Sequence, residues 1–236
     1  MEGGERQEKQ FASGIISVFD LIRGTDSSWF DPFLRSLKKE EKELYLMAMQ
    51  TCPSRDDTLT HLLLSVIHKR CLDGYVPLRK DFFRETPLFF FLEEGGAPIE
   101  PVLRFLGLFD LAAAGSKIVD GKLLRHLLES LTEEERRFLE KISKRGNYFT
   151  VKIAPSLLSG SVSLEKILIE HGFVRIRSIL HKHHPDLGFY LRHVMHAKWA
   201  YLFDLRIDLP LMEKYADSIE KQIELAKSEV LCTYSH

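Results

Sequence analysis

Apolar residues recur every three or four positions along most of this chain, which is the spacing of one face of an α-helix. Three such stretches fill the first third of the sequence, and each ends at a glycine or a proline. We therefore predict N-terminal helices at 11–24, 26–53 and 56–74.

The same spacing predicts helices through the rest of the chain. They are expected at 101–115, 121–146, 161–172, 173–184, 185–206 and 209–231. The second of these should divide near Leu131, because Thr132 can cap a helix whose first turn is acidic. Pro185 and Pro210 suit the first turn of the helices that they begin.

Two segments depart from the helical spacing. Residues 75–101 combine prolines and glycines with a run of phenylalanines, which is typical of a connecting segment that still packs. Residues 147–155 alternate between two sides and are the best strand candidate, while Asp120 and Gly121 could form the turn of a small hairpin. The predicted fold class is all-α, a helical bundle or an armadillo-like array of helices with at most one minor β-hairpin.

The predicted helices group into two lobes. We expect a disordered tail at 1–10, an N-terminal helical lobe at 11–115 and a C-terminal helical lobe at 116–236. The stretches LRSLKKEEKELYL, from Leu34, and LESLTEEERRFLE, from Leu128, are similar to each other. They are either copies of one duplicated module or two amphipathic helices that arose independently.

The composition is that of an ordinary folded protein, with 44% hydrophobic and 28% charged residues. A formal net charge of -1 gives no overall field that would draw the chain to nucleic acid or to an acidic membrane. No apolar stretch is long enough to span a bilayer, and the three cysteines lack CxxC spacing, so free thiols are expected. We expect a cytoplasmic protein that can associate peripherally with a complex at the inner membrane.

The sequence contains no motif of a nucleotide-binding loop, of a serine hydrolase elbow or of a His-Glu-x-x-His metalloprotease. We therefore expect no cofactor and no enzymatic activity. The stretch HKHHPDLGFYLRHVMH, residues 181–196, keeps a metal-dependent enzyme open as an alternative, with ligands between His171 and His196. His193 and His196 would share a helix face, but a metal site needs a third ligand, and the other interpretation is a polar helix face.

Basic and aromatic residues are interleaved in the same part of the sequence. They are Arg175, Arg177, Lys182, Arg192 and Lys198, with Phe173, Phe189, Tyr190 and Trp199. Arginine beside aromatic residues is typical of protein interfaces, and the same combination can bind nucleic acid. A third interpretation is a solvated face over a core stripe formed by Leu187, Tyr190, Leu191 and Val194.

The stretch HKHHPDLGFYLRHVM resembles the segment around the Glu-His-Pro-Gln motif in the middle domain of the flagellar rotor protein FliG, a helical domain of armadillo-like character. His184 and Pro185 match the motif, whereas His183 stands in place of Glu and Asp186 in place of Gln. The resemblance implies that Pro185 begins a helix and that this surface docks another protein. In size and helical content the chain is also similar to the SctK-like adaptors of type III secretion systems, which link the membrane ring to the cytoplasmic sorting platform.

We predict a non-enzymatic adaptor or scaffold that binds other proteins through its C-terminal helices, as an accessory component of a type III secretion or flagellar-type apparatus. The candidate partner-binding residues are Arg175, Arg177, His184, Pro185, Arg192 and Trp199. The last helix has an apolar stripe that either docks a partner as well or closes the core, and its members are Leu209, Met212, Ile219, Ile223 and Ala226. A nucleic-acid-binding helical module is one alternative, and the metal-dependent enzyme is the other.

Overall fold

The computed structural model describes residues 83–84, 86–92, 99–146, 148–154, 156–158, 162–183 and 185–234, with short stretches nearer the N-terminus at 15–16, 27–29, 35, 37–40, 42–43 and 78–79. The fold is all-α, as predicted, and the described residues include one pair of two-residue strands. The chain separates into two compact units. One comprises Met1–Glu85 with Pro185–Phe203, and the other Thr86–His184 with Asp204–His236.

The described α-helices are α1 (Ile99–Gly115), α2 (Gly121–Glu129), α3 (Glu133–Arg145), α4 (Leu164–His183), α5 (Pro185–Val194), α6 (Leu209–Lys214) and α7 (Ala216–Tyr234). Short 3₁₀ helices occupy Ser27–Trp29, Phe89–Leu92 and Ala197–Asp204. The predicted division into lobes at 11–115 and 116–236 is wrong, because α1 packs against α3, α4 and α7 within one unit. The predicted tail at 1–10 lies outside the described residues.

In the first unit, strand β1 (Ile15–Ile16) pairs antiparallel with β2 (Leu78–Arg79). The helix predicted at 11–24 is therefore wrong at these two isoleucines, and most of the other predicted N-terminal helices lie outside the described residues.

Helix α5 begins at Pro185, which confirms that expectation. It ends at Val194 instead of running on to 206, because Ser28 and Trp29 bind the backbone just beyond it. Trp29 Nε1 donates to the Met195 carbonyl at 2.8 Å, and the Ala197 N–H donates to Ser28 Oγ at 2.7 Å.

In the second unit, α1 and α4 approach each other at two glycines. A Cβ placed on Gly107 would lie 2.2 Å from the carbonyl oxygen of Leu168, and one placed on Gly172 would lie 2.0 Å from that of Leu103. The contact is reciprocal, since each glycine meets the backbone of a leucine on the other helix. The prediction that one helix ends at Gly172 and another follows is wrong, because this glycine serves close packing inside the continuous helix α4.

Helices α2 and α3 begin at side-chain caps. Asp120 caps α2 by accepting from the N–H groups of Lys122 and Leu123, so the predicted hairpin turn here is wrong. Thr132 caps α3 with Glu135 as its reciprocal partner, which confirms the predicted division of 121–146. Glu135 also accepts two hydrogen bonds from Arg104 of α1, at 2.6 and 3.0 Å. The capping box thereby also ties α3 to α1.

Residues 148–154 are extended but form no strand, so the predicted strand at 147–155 is wrong. The predicted alternation of its side chains between two sides is nevertheless present, since Phe149 and Ile153 are buried while Thr150 and Lys152 are exposed. The backbone of this segment is bound by side chains of the surrounding helices in place of a neighbouring strand. The Phe149 N–H donates to Ser218 Oγ at 3.1 Å, and the Val151 N–H donates to Asp110 Oδ1 at 2.7 Å.

The C-terminal helix predicted at 209–231 is divided at Tyr215 into α6 and α7. The Tyr215 N–H binds the carbonyl of Met212, three residues earlier, and the Tyr215 ring packs on Phe149 with centroids 5.1 Å apart. Four of the five residues of the predicted apolar stripe are buried, namely Met212, Ile219, Ile223 and Ala226. This stripe therefore closes the core of the second unit.

Candidate functional site

Arg175, predicted to contact a partner, is fully buried in the second unit, with 0% of its side chain exposed. A surface role for this residue is therefore wrong. All five guanidinium N–H groups have acceptors. Nη2 donates to Asp110 Oδ1 at 2.7 Å and Nη1 to Oδ2 at 3.2 Å, and the remaining donors bind Gln222 Oε1 and the carbonyls of Phe149 and His171.

Asp110 of α1 is the acceptor at the centre of this arrangement. Besides Arg175 it binds the Val151 N–H and His171 Nδ1, which lies 3.0 Å from Oδ2 and donates, since a carboxylate can only accept. Burial alone would raise the pKa of Asp110, but the charge of Arg175 and the hydrogen bonds from His171, Arg175 and Val151 hold it below its ordinary value. Asp110 is therefore ionised at neutral pH.

We call these residues the Asp110 network: Asp110, Phe149, Val151, His171, Arg175 and Gln222. Gln222 completes it, because its Nε2 donates to the Phe149 carbonyl at 2.8 Å while its Oε1 accepts from Arg175. The network joins α1, α4 and α7 to the extended segment 148–154. A buried ion pair without further hydrogen bonds costs free energy, so the full set of partners explains how this one is tolerated.

The other predicted contacts are distributed over both units. Arg177 is half-buried in the second unit, whereas Arg192 and Trp199 belong to the first. Trp199 is only 4% exposed, so its predicted role as a surface contact is wrong, and Lys198 stacks on its ring with Nζ 4.7 Å from the centroid. His184 lies outside the described residues, as does the side chain of Pro185. The burial of Arg175 and Trp199 therefore removes two members of the exposed patch that the spacing suggested.

The histidines that are described have other partners. His193 is buried, its ring stacks between Trp29 and Phe189, and its Nδ1 donates to the Phe189 carbonyl at 2.8 Å. His196 Nδ1 accepts from the Lys198 N–H at 3.1 Å. Among the residues that the structure describes, no three His, Cys, Asp or Glu side chains are grouped so that they could hold a metal ion.

The second unit contains a cavity of about 400 Å³ beside the C-terminal half of α1. Its lining is mostly apolar and includes Ala113, Ile118, Leu123, Val151 and Ile153. The volume is within the range of protein sites that bury an apolar ligand or side chain. Val119, in the turn between α1 and α2, is next to this cavity and is 98% exposed.

A second cavity of about 560 Å³ adjoins the first and shares Ala113 and Thr150 with it. It lies between α1, α2 and α3, and Leu124, Leu128 and Leu139 contribute to its wall. Among the described residues that line it, none is acidic or basic. We call the two adjoining cavities the apolar groove.

Local features of the sequence explain why the groove is open. The run Ala112 to Ala114 places small side chains where α1 passes between the two cavities, so the space is not filled from this helix. The Asp120 cap of α2 and the capping box of α3 fix the opposite wall, and the Asp110 network fixes segment 148–154. Sequence reasoning missed the groove, although the alanine run in an otherwise leucine-rich helix was a visible signal.

The charged residues at the groove differ in how far they are bound within the protein. Asp110 and Asp120 line the first cavity, but the first is bound in the Asp110 network and the second caps α2. Lys117 and Lys152 also line it, are exposed, and form no salt bridge within the described part of the chain. The groove therefore presents an apolar surface with two exposed lysines and one exposed carboxylate.

No model of a known protein family, no curated protein and no solved structure matches this chain. Within the described residues, no helix combines the length and the apolar composition needed to cross a membrane.

Proposed function

We propose that this protein is a non-enzymatic helical adaptor that binds another protein by receiving an apolar helix of that partner in the apolar groove. The observation that supports the proposal is the groove itself, two adjoining apolar cavities along α1 with an exposed valine at the margin. Apolar grooves between helices are a recurrent site for an amphipathic helix of a binding partner. The proposal replaces the predicted patch around Arg175 and Trp199 as the docking surface.

A more specific form of the proposal is a cytoplasmic adaptor of a type III secretion or flagellar-type apparatus. Its support is the resemblance of residues 181–195 to the FliG segment, in which a proline also begins a helix. The identity of a captured partner tests this form separately, because a ring or sorting-platform protein is expected.

The test fills the groove and measures partner capture. Ala113→Trp places an indole at one of the two residues that both cavities share. Ser228→Trp adds the same side chain at an exposed position of α7 that lines neither cavity, and so serves as the matched control. Wild type and both variants are compared by quantitative affinity purification from the native cell, after circular dichroism has shown equal helicity.

We expect a defined partner to be captured by wild type and by Ser228→Trp and to be lost with Ala113→Trp. A photo-crosslinking residue at Thr150, which is exposed and lines both cavities, should crosslink to that partner. Equal capture by all three proteins, together with no crosslink from position 150, would remove the groove as the docking surface.

A further inference from the structure

The charges around the groove favour one kind of partner helix. We infer that the occupant is an acidic amphipathic helix, whose apolar stripe enters the groove and whose carboxylates pair with Lys117 and Lys152. This inference rests on the proposed function, because it names the chemistry of the partner at the same groove.

The first step concerns the available charge. Lys117 and Lys152 both line the first cavity and are exposed, and neither has an ion-pair partner in the described residues. Of the two carboxylates in the same lining, Asp110 is paired with Arg175, whereas Asp120 caps α2 through Oδ1 and is exposed. The described lining therefore offers two lysine charges against one exposed carboxylate, and this excess of positive charge favours an acidic partner over a basic one.

The second step concerns the form of the partner. An added β-strand would need free backbone groups on segment 148–154, the extended part of the groove wall. The N–H groups of Phe149 and Val151 already bind Ser218 and Asp110, and the Phe149 carbonyl already accepts from Arg175 and Gln222. The edge of the segment that carries the Phe149 and Val151 backbone groups is therefore closed to strand addition. A helix in a groove needs no free edge, because it is recognised through side chains.

The third step concerns length. The residues of α1 that line the second cavity run from Phe109 to Ser116, which corresponds to roughly 10 Å along a helix axis. Two apolar anchors two turns apart on a partner helix span about the same distance. The two adjoining cavities thus match the stripe of a short amphipathic helix, with the charged end at Lys117 and Lys152 and the uncharged end between α2 and α3.

The inference is tested with two synthetic peptides and the full chain. Both peptides are 18-residue fluorescein-labelled helices (a chosen length of roughly five turns) with the same leucine stripe, and their polar faces carry either glutamate or lysine. Binding is measured by fluorescence anisotropy with wild type, Lys117→Glu/Lys152→Glu and Ala113→Trp. The charge-matched control is Lys144→Glu/Lys221→Glu, since both of these lysines are exposed and line neither cavity.

We expect wild type and the control to prefer the glutamate peptide by about tenfold, the effect of two exposed ion pairs. Lys117→Glu/Lys152→Glu should abolish or invert this preference, and added salt should reduce it. Ala113→Trp should weaken binding of both peptides.

If wild type binds both peptides with equal affinity and Ala113→Trp binds neither, the acidic partner is overturned and the groove remains a protein-binding site. Failure of both peptides to bind, or binding that Ala113→Trp leaves unchanged, would overturn both the acidic partner and the proposed function. Decanoate is a further probe, because it offers a carboxylate on an apolar chain without a helix. Stoichiometric decanoate binding at Lys117 and Lys152 without any peptide binding would identify a small-molecule site and overturn the inference.

Discussion

Arg175 shows how one side chain can be both charged and part of the core. Replacing it with methionine would leave the Asp110 carboxylate buried without its main counter-charge, which typically costs about 3–5 kcal/mol. We expect Arg175→Met to lower the free energy of unfolding in urea by this amount. Arg137→Met should cost less than about 0.5 kcal/mol, because the Arg137–Glu133 pair is exposed.

The double variant Asp110→Leu/Arg175→Met separates the effect of the unpaired charge on stability from the effect of packing. If the penalty arises from the unpaired carboxylate, the double variant is more stable than Arg175→Met alone, since both charges have been removed. A double variant that is less stable than the single one would show that the hydrogen bonds of Asp110 to Val151 and His171 matter more.

His193 gives the first unit a pH-dependent stability. Burial lowers the pKa of His193 below its ordinary value, the hydrogen bond to the Phe189 carbonyl opposes this, and the charge of Arg192 lowers it further. As pH falls below about 6.5, the ordinary value for histidine, the unfolded chain binds the proton first, so the folded state loses stability. The loss is complete once the pH is below the lowered pKa of the folded state.

The measurement is the free energy of unfolding between about pH 5 and 8 for wild type, His193→Gln and His126→Gln, a range that brackets the ordinary histidine pKa. We expect the free energy of unfolding to change less steeply with pH below about pH 6.5 in His193→Gln than in wild type. His126→Gln is the matched control, since it makes the same substitution at an exposed histidine. Identical slopes in all three proteins would contradict a role for His193.

At the scale of elements, the α1–α4 contact should be intolerant of a single methyl group. Gly107→Ala and Gly172→Ala would each place Cβ within about 2 Å of a backbone carbonyl, which cannot move as a flexible side chain can. We expect each to destabilise the protein by about 3 kcal/mol or more, the upper end for overpacked cores. Gly121→Ala, where no atom lies within 4 Å of the added Cβ, should be neutral or slightly stabilising.

The elements that the sequence predicted correctly are those whose signals are local. The division at Thr132 follows from a capping box four residues long, and the start of α5 follows from Pro185 alone. The errors have distant causes. Gly172 does not end a helix because Leu103 occupies the space beside it, and residues 148–154 form no strand because Asp110, Gln222 and Ser218 bind their backbone.

The candidate site shows the same division between local and distant causes. The alanines of α1 and the free lysines could be read from the sequence, but a groove exists only where several elements leave space. The burial of Arg175 was not predictable either. Its five acceptors come from α1, α4, α7 and the extended segment, and nothing in its sequence neighbourhood indicates them.

At the scale of the whole molecule, the Asp110 network and the groove share a wall. Val151 binds Asp110 through its backbone and lines the first cavity with Ile153, so a variant that loosens the network should also loosen the groove. Gln222→Leu tests this coupling, because Gln222 lines neither cavity but bridges Arg175 and the Phe149 carbonyl.

We expect Gln222→Leu to raise hydrogen exchange at the Val151 amide and to weaken binding of the glutamate peptide by about fivefold, the effect of losing roughly 1 kcal/mol. Lys221→Leu, at the exposed neighbouring position of α7, should change neither. A loss of stability in Gln222→Leu with unchanged affinity and unchanged exchange at Val151 would mean that the network supports folding alone. Parallel changes in exchange and affinity would mean that a buried ion pair determines the shape of a surface groove.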